Sequence, residues 1–496
     1  MPAVVRLALT VAATLAGCLV LARAWVAVAG AGDVNLVSGV WLALAADTRE
    51  GIFYRPLAEA GFYGGTRYFP LLFVLIAAAA RAGLAPIPAG QLVGIGSGIV
   101  LLTGAWALLA RLGVERRLAA SGAILAVAPY FVLQSIFAIR AEPLAAGLVC
   151  WGASFVAARI HTGAAASWAS VAAVCFTLAA AGKPTTLYAP LAALAALGWA
   201  GRRDDAVRLG LLTAVGCLLL AAAIGVTSEG RAFASFRAGA LGGGSVSSML
   251  GALARLDALW LAMTSRYLTA VLVLVGVTAV LPRFRLLALP ALLMALAALA
   301  SAIALATPGT ILANQAIEPY VAAAVLLTWR AGQQTRLRSA ACVVICMLLA
   351  WTAVQNSREL RAIVTSAQHA AAPAERAALQ RRVSQCAGTW VAESPLLPIL
   401  AGQRPVLLDP FAFRVAAAQQ PHLAEELAAR LRSREFGCVV LEMDPGSPTG
   451  EAWYRNVHLG TTVIDALGDG YAYQESIAGH RFYVPLAAEA SIALAP

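Results

Sequence analysis

The chain has 496 residues, of which 60% are hydrophobic and only 12% charged, and its mean hydropathy is +0.78. Soluble domains carry about 25% charged residues, so this composition excludes an ordinary soluble protein and indicates a membrane protein. The net charge of +11 is spread over many short loops. That distribution is typical of topology signals and argues against a nucleic-acid partner.

Apolar segments of about 20 residues recur along the first 355 positions, and a helix needs that length to cross about 30 Å of hydrocarbon. They predict eleven transmembrane helices, at residues 5–30, 90–110, 118–137, 143–159, 166–182, 184–200, 208–226, 266–281, 285–306, 313–329 and 338–354. The first apolar run is too long for the hydrophobic part of a cleaved signal peptide, so it is predicted to be the first span.

The arginines sort the loops between these spans into two classes. One class carries thirteen basic residues against three acidic ones: Arg6, Arg111, Arg116, Arg117, Arg159, Arg202, Arg203, Arg208, Arg283, Arg285, Arg330, Arg336 and Arg338 against Glu115, Asp204 and Asp205. The positive-inside rule assigns this class to the cytoplasm. With an odd number of spans, the N-terminus is then cytoplasmic and the chain after about residue 355 lies outside.

Two apolar segments on the outer side differ from the spans. Residues 34–46 place Val37, Val40, Trp41 and Leu44 on one face of a helix. Residues 69–82 are apolar over only about 14 residues, which is short for a span. Both segments predict helices that lie along the outer membrane surface.

The last part of the chain is polar, with short apolar stretches separated by turn residues. The predicted elements are a helical stretch at 358–382, buried strands at 405–410 and 438–444, an acidic helix at about 421–434, and a hairpin formed by 471–476 and 480–486. We therefore predict an all-α polytopic membrane domain at 1–355 and a small α/β extracytoplasmic domain at 356–496. Cys386 and Cys438 either form a disulfide there or remain two thiols, and the sequence favours neither.

Polar residues gather at the outer ends of the predicted spans. Burying an ionisable group at membrane depth is costly, so each of them calls for an explanation. They are Asp33 after the first span, Arg140 and Glu142 between the third and fourth, Lys183 between the fifth and sixth, and Asn314, Gln315 and Glu318 at the start of the tenth. Together they predict a shared cavity at the outer membrane face, suited to a reaction on an anionic lipid head group.

Each of these residues also has a structural interpretation. Asp33 is suited to cap the helix that follows it, and Lys183 to extend its side chain toward water. Arg140 and Glu142 are close enough in sequence to form a local ion pair. Glu318 lies about one turn inside its span, where a partner on a neighbouring helix would explain it.

The order of these features matches a known pattern. The segments that carry the match are 32–57 (GDVNLVSGVWLALAADTREGIFYRPL), 67–83 (RYFPLLFVLIAAAARAG), 137–148 (FAIRAEPLAAGL), 180–194 (AAGKPTTLYAPLAAL), 313–327 (ANQAIEPYVAAAVLL) and 396–413 (LLPILAGQRPVLLDPFAF). With them the chain resembles the GT-C superfamily of lipid-linked-sugar glycosyltransferases, and specifically the bacterial family 39 mannosyltransferase-like branch. The similarity covers almost the whole chain.

The resemblance implies an inverting transfer of sugar from a polyprenyl-phosphate donor to an extracytoplasmic glycan, lipid or protein acceptor. Asp33 matches the family's general base, which takes the proton of the acceptor hydroxyl during attack. Lys183 or Arg140 would stabilise the charge that develops on the leaving phosphate. The residues predicted to bind substrate are Arg140, Glu142, Lys183, Asn314 and Glu318.

The chain departs from the family's pattern at two positions. Val34 follows Asp33 where many relatives have a second acid, so no metal ligand is assigned, and a divalent cation as cofactor stays an open question. Glu142 stands where relatives often have aspartate.

The expected partners are the lipid-linked donor, the acceptor and the bilayer, in a bacterial inner membrane. Two other functions stay open: a transporter or flippase of a lipid-linked glycan, and a catalytically inactive scaffold of the same fold. A transporter should show internal repeats or paired broken helices near mid-membrane, and the sequence shows neither.

Overall fold

A computed structural model describes residues 3–30, 34–163, 167–239, 288–305, 312–333, 338–365 and 367–486. Within these residues the chain divides into two compact units. The membrane unit draws its residues from 1–34, 68–227 and 244–369, and the sheet unit draws its residues from 35–67, 228–243 and 370–496. This division differs from the boundary predicted at residue 355, because two segments from earlier loops pack with the tail.

The membrane unit is built from helices only. Their bounds are α1 Ala3–Gly30, α3 Pro70–Arg81, α4 Pro86–Arg111, α5 Arg116–Val127, α6 Tyr130–Phe137, α7 Glu142–Thr162, α8 Trp168–Gly182, a 3₁₀ helix Pro184–Leu187, α9 Tyr188–Trp199, α10 Arg203–Thr227, α12 Leu289–Leu305, α13 Leu312–Gln315, α14 Ile317–Gly332 and α15 Arg338–Thr365. Their shared core consists mainly of alanine, leucine and valine side chains.

Five of the described helices (α1, α4, α7, α10 and α15) are long and apolar enough to cross a membrane, and α5 with α6 makes a sixth if the bent pair is one span. The chain is therefore a multi-pass membrane protein. Ten of the eleven predicted spans fall on described helices, but those at 118–137, 184–200 and 313–329 each consist of two helices, and α15 continues eleven residues beyond the predicted end at 354. The span predicted at 266–281 lies outside the described residues, and the total of eleven stays a prediction.

The span predicted at 118–137 is not one straight helix. It bends by 66° between α5 and α6, because Pro129 has no N–H with which to continue the helical hydrogen bonds. Two side chains satisfy the carbonyl groups freed at this bend. The Tyr320 hydroxyl donates to the Leu125 carbonyl at 2.8 Å, and the Asn356 amide donates to the Ala128 carbonyl at 2.8 Å. A broken helix is tolerated inside a membrane protein when side chains replace the lost backbone hydrogen bonds in this way.

Replacing Tyr320 by phenylalanine should destabilise the membrane unit by about 1–2 kcal/mol, because the Leu125 carbonyl loses its donor while it stays buried. The ring contact with Phe131 would remain. The thermal unfolding midpoint in one detergent measures the effect. Tyr473→Phe, at a ring that is 49% exposed, is the control and should leave the midpoint unchanged. Equal midpoints for Tyr320→Phe and the unmodified protein would contradict this role of the hydroxyl.

Helices α4 and α7 pack at very short distance. A Cβ atom at Gly104 would lie 2.6 Å from the Gly147 carbonyl oxygen, and one at Gly147 would lie 2.7 Å from the Leu101 nitrogen. Small residues at helix interfaces are the usual means by which membrane helices approach closely. This contact fixes α7, whose first residue is Glu142.

The sheet unit combines short strands with surrounding helices. Its helices are α2 Leu36–Arg49, α11 Arg231–Gly239, most of α16 Ala367–Ser384, α17 Leu396–Leu400, α18 Pro410–Gln419, α19 His422–Arg432, α20 Pro448–Asn456 and α21 Thr461–Gly470. Its strands are β1 Ala58–Glu59, β2 Phe62–Tyr63, β3 Val391–Ala392, β4 Val439–Leu441, β5 Tyr471–Ile477 and β6 His480–Pro485. An apolar core lies between the sheet and helices α18, α19 and α21.

Four of these strands form one sheet in the order β3-β4-β6-β5. Strand β3 runs parallel to β4, while β6 is antiparallel to both β4 and β5. The predicted hairpin, the strand at 438–444 and the acidic helix are confirmed. The strand predicted at 405–410 is wrong: only Leu407 makes a single bridge, to Tyr63. Proline at 405 and 410 and the capping of α18 by Asp409 leave too few backbone groups for a ladder.

A disulfide joins Cys386 and Cys438, with Cα atoms 5.6 Å apart. Of the two alternatives that the sequence left open, the structure therefore contains the bridge. Cys438 directly precedes β4, and Cys386 lies five residues before β3. The bridge ties together the starts of the two parallel strands.

The segment that follows the first helix of the membrane unit is held within the sheet unit by a buried ion pair and its hydrogen bond to the tail. The Arg55 guanidinium binds both carboxylate oxygens of Asp47, at 2.5 and 2.8 Å, and donates to the Pro405 carbonyl at 2.7 Å. At Gly39 in α2, a Cβ would lie 2.5 Å from the Leu396 nitrogen. The helix predicted at 34–46 is present as α2, but residues 38–45 are all buried, so it does not have one buried and one exposed face as its apolar stripe predicted. Its position along the membrane surface stays a prediction.

Glu393, directly after β3, is the most extensively bonded acid of the sheet unit. Its carboxylate accepts hydrogen bonds from the Trp453 indole at 2.8 Å, the Tyr454 hydroxyl at 2.5 Å and the backbone N–H of Glu442 at 2.9 Å, and it contacts the His458 ring at 2.8 Å. Burial alone would raise the pKa of Glu393, but the contacts with His458, Tyr454 and Trp453 together lower it below its usual value.

Candidate active site

Arg140 and Glu142 lie in the tight link between α6 and α7. The link turns because Ile139 adopts a positive φ of 54°, and the Arg140 N–H closes the turn on the Ser135 carbonyl at 3.1 Å. Proline at 143 then suits the first turn of α7. Both charged side chains are half-buried at this end of the membrane unit.

Lys183 lies where the backbone leaves one helix and begins the next. Helix α8 ends at Gly182, and Lys183 is extended, with φ −156° and ψ 110°. Its carbonyl accepts hydrogen bonds from the N–H and the hydroxyl of Thr186, so the 3₁₀ helix begins at Pro184. The break is local, and it holds the lysine side chain inside the helix bundle instead of along its surface.

Lys183 and Glu318 form an ion pair. The Lys183 Nζ lies 3.1 Å from the Glu318 Oε1, and the side chains are 11% and 0% exposed. Glu318 is in the first turn of α14, far from Lys183 in sequence. The interpretation of Lys183 as a side chain that reaches out to water is therefore wrong, and the partner expected for Glu318 on a neighbouring element is Lys183.

Other polar groups surround this pair. Glu142, Thr185 and Tyr188 are all close enough to Glu318 to interact with it electrostatically. The structure thus brings Glu142, Lys183 and Glu318 together at one end of the membrane unit, where three predicted loops meet. Arg140 precedes Glu142 by two residues, and no contact between Arg140 and Glu318 is found among the described residues.

Among the described residues, no partner other than Glu318 is found for the Lys183 Nζ. The second carboxylate oxygen of Glu318 meets hydrogen-bond geometry with no described group, and neither does the buried Gln315 Oε1 in the preceding short helix α13. Buried polar groups are nearly always hydrogen-bonded, and unpaired ones cluster where a ligand or solvent completes the site. The cluster therefore has spare capacity for a polar group in addition to its own ion pair.

Asn314 and Asp33 stand apart from this cluster for different reasons. Asn314 is half-buried in the short helix α13, one turn before Glu318, and α13 is anchored by the Ser301 hydroxyl, which donates to the Gln315 carbonyl at 2.7 Å. Asp33 lies outside the described residues, so its role as the base stays a prediction.

Arg23 is a buried cation that the sequence analysis did not include in the site. Its side chain is only 2% exposed, and its guanidinium carbon lies 5.3 Å from the centre of the Phe137 ring. Phe137 ends α6, three residues before Arg140. The available signal was an arginine inside an apolar span, since such residues usually face the bundle interior.

Metal binding was tested on the described residues alone. Among them, no three His, Cys, Asp or Glu side chains are grouped as metal ligands. Because Asp33 lies outside that part of the chain, cation dependence stays an open question.

No family model and no curated protein matches the sequence. Solved structures do match it. ArnT from Cupriavidus metallidurans bound to undecaprenyl phosphate aligns with a TM-score of 0.58 and 11% identity, over 96% of this chain and 98% of that one. The apo oligosaccharyltransferase of Archaeoglobus fulgidus aligns with a TM-score of 0.58 and 13% identity, over 97% and 74%. AglB from the same organism, in complex with an inhibitory peptide and a dolichol-phosphate, aligns with a TM-score of 0.54 and 14% identity, over 95% and 74%.

The chain has the GT-C fold. This confirms the predicted fold class, an all-α membrane portion with GT-C architecture and a small sheet-containing region at the C-terminal end. The narrower resemblance to the family 39 branch stays a prediction. At 11–14% identity, the likeness concerns the path of the backbone, so the roles of side chains in this GT-C protein rest on their own geometry.

Proposed function

We propose that this GT-C protein is a glycosyltransferase that takes its sugar from a polyprenyl-phosphate donor and passes it to an extracytoplasmic acceptor. Two solved structures of the same fold carry such a lipid: undecaprenyl phosphate in ArnT and dolichol-phosphate in AglB. The proposal extends that ligand class to this chain. It places the protein in a bacterial inner membrane, with the N-terminus in the cytoplasm and residues after 355 outside.

The observation that carries the proposal is the buried Lys183–Glu318 pair, for whose lysine no second partner is found among the described residues. A lysine buried in the helix bundle is a suitable partner for a phosphate whose lipid tail remains in the bilayer. Glu318 provides its counter-ion when no phosphate is present. Thr185, which interacts with Glu318, offers a neutral hydroxyl to the same space, as sugar and phosphate oxygens require.

Two side chains act in the proposed reaction, one on the acceptor hydroxyl and one on the leaving phosphate. The carboxylate of Asp33 takes the proton of the acceptor hydroxyl as that oxygen attacks the anomeric carbon. The bond from that carbon to the phosphate oxygen breaks, its electron pair stays with the polyprenyl phosphate, and the anomeric configuration inverts. Lys183, with Arg140 as the alternative, stabilises the charge that develops on the leaving phosphate.

Asp33→Asn should lower turnover by a factor of about 10²–10⁴, because the amide cannot accept the proton. The purified protein is reconstituted in liposomes and incubated with a panel of radiolabelled polyprenyl-phosphate sugars, and released or transferred sugar is measured. Turnover of one donor would identify the reaction and the sugar in the same experiment.

Asp204→Asn is the matched control, because Asp204 is an exposed acid at the start of α10. It should transfer sugar at the normal rate. Near-normal turnover by Asp33→Asn would remove Asp33 as the base. Donor binding without turnover, unchanged in Asp33→Asn, would favour the transporter or the inactive scaffold over the enzyme.

A further inference from the structure

A cavity of about 540 Å³ lies in the membrane unit, between the ends of four helices. Its lining residues are Leu112, Ala157, Ile160, His161, Ala196, Trp199, Ala200, Ala288, Leu289, Pro290, Trp329, Arg330 and Gln333. They belong to or directly flank the ends of α4, α7, α9 and α14 and the beginning of α12. The walls are apolar, and the polar groups are few.

This cavity is remote from the candidate active site. Helix α7 begins at Glu142 and contributes Ile160 and His161 near its other end, and α14 likewise begins beside Glu318 and contributes Trp329 and Arg330. With 21 residues in α7 and about 1.5 Å per residue, the two places are about 30 Å apart along that helix. That is the thickness of the hydrocarbon layer. The cavity and the candidate site therefore lie at opposite ends of the same helices.

The described lining carries one charged side chain, the guanidinium of Arg330, and the His161 ring adds a polar group. No carboxylate is among the described lining residues. Of the two acids that follow Ala200 in sequence, Asp204 is exposed, and Asp205 is already bonded to Arg159 at 2.8 Å and lies 3.5 Å from Arg202. A bound anion would thus meet the Arg330 guanidinium and no carboxylate among the described lining residues.

At two of the four helix ends that face the cavity, backbone carbonyl groups are already bonded within the chain. At the end of α9, the carbonyl groups of Ala196, Leu197 and Gly198 accept hydrogen bonds from the N–H groups of Ala200, Arg202 and Gly201. At the end of α14, the Arg330 carbonyl accepts from the Gln333 N–H. These carbonyl groups are therefore partly satisfied within the chain.

The aromatic residues indicate what kind of anion fits. Trp199 is 66% exposed, and it forms the rim together with the half-buried Trp329. Tryptophan is enriched where hydrocarbon meets head groups. A small soluble anion would gain little from contact with apolar walls and a tryptophan rim. A phospholipid has a charged head group for the basic side chain and apolar chains for the walls.

We propose that this cavity binds the head-group phosphate of a membrane phospholipid, with Arg330 and His161 on the phosphate and the acyl chains along the apolar wall. Basic pockets between transmembrane helices are known sites for anionic lipid head groups. The site is independent of the proposed sugar donor, since it lies at the other end of α7 and α14.

The test is a binding titration of the purified full-length protein in detergent with dioctanoyl phosphatidylglycerol, followed by native mass spectrometry. Arg330→Gln should weaken binding about tenfold, the usual effect of losing one charge-assisted contact. Arg330→Lys keeps the charge and should lose less. Arg203→Gln is the matched control, because Arg203 is exposed at the start of α10 and does not line the cavity.

A second variant keeps the test decisive if Arg330→Gln unfolds. Trp199→Ala changes an exposed rim residue and should also weaken binding severalfold. Unchanged affinity in both variants, or an equal loss in Arg203→Gln, would overturn the proposal.

Two further probes test whether binding requires both the phosphate and the acyl chains. Dioctanoylglycerol lacks the phosphate, and glycerol phosphate lacks the chains; both should bind at least tenfold more weakly than the phospholipid. Equal affinity for dioctanoylglycerol would remove the role of the phosphate. Equal affinity for glycerol phosphate would replace the lipid by a soluble anion.

Discussion

Lys183→Met should destabilise the membrane unit by about 3–5 kcal/mol and abolish use of the lipid donor. Methionine keeps most of the apolar length of the side chain, but the fully buried carboxylate of Glu318 loses its cation. Removing one partner of a buried pair costs this much because an uncompensated charge stays in a medium of low polarity. The thermal midpoint in detergent measures the first effect, and the donor dependence of sugar transfer measures the second.

The double variant Lys183→Met with Glu318→Gln separates stability from function. It removes both charges together, so most of the lost stability should return, whereas donor use should stay absent because no cation faces the phosphate. A double variant that uses the donor normally would show that the pair is only structural. A single variant as stable as the unmodified protein would contradict the buried pairing.

The matched control for this pair is Arg338–Glu115. Its charged atoms are 3.3 Å apart, but the side chains are 23% and 46% exposed. Exposed pairs contribute about 0–1 kcal/mol, so Glu115→Gln should leave the midpoint and the donor dependence nearly unchanged.

The sheet unit should lose stability as the pH rises from about 4.5 to above 7. Burial raises the pKa of Glu442 from 4.5 to about 7, and the nearby charge of Glu393 contributes to the rise. Because the folded pKa is the higher one, the protonated carboxyl favours the folded state. This contribution is complete below pH 4.5 and is lost as the pH rises through 7. A shift of this size corresponds to on the order of 3 kcal/mol.

Hydrogen exchange of the β4 and β6 amides in the full-length protein, corrected for the intrinsic effect of pH, measures this loss. Protection should fall by about a hundredfold between pH 4.5 and 8, and Glu442→Gln should remove most of that dependence. Glu451→Gln, at an exposed residue of α20, should keep it. Glu393 acts in the opposite direction, because its lowered pKa makes its stabilising contribution disappear only on further acidification. A flat profile in the unmodified protein would contradict the assignment.

Local patterns in the sequence predicted much of the fold because membrane insertion depends on local properties. The helical segments at ten predicted spans, the helix at 34–46 and the final hairpin follow from runs of apolar residues and from the pattern of polar residues between them. Pro129 was a visible signal for the bend between α5 and α6. The bend itself depends on Tyr320 and Asn356, which lie far along the chain, and no local pattern shows such partners.

The candidate site was predicted as a set of residues but not as an arrangement. Loop sidedness placed Glu142, Lys183 and Glu318 at one face, and the structure brings these three together. The ion pair could not be derived, because a lysine at a helix end has the same sequence signal whether it points to water or into the bundle. Arg23 was missed although its position inside an apolar span was a usable signal. The grouping of residues 35–67 with the tail depends on the hydrogen bond from Arg55 to the Pro405 carbonyl and on the contact of Gly39 with Leu396, which are long-range.

The bridge between Cys386 and Cys438 has a consequence for where this protein folds correctly. Strand β3 has only two residues, so its parallel pairing with β4 rests on few hydrogen bonds, and the covalent link keeps the two chain segments in register. Such links form in oxidising compartments and are rare in the cytosol. If the protein is produced where this region meets a reducing environment, the two cysteines stay as thiols. Its helices would then insert normally, while the sheet would be less stable. The presence of the protein in the membrane fraction would not reveal this defect.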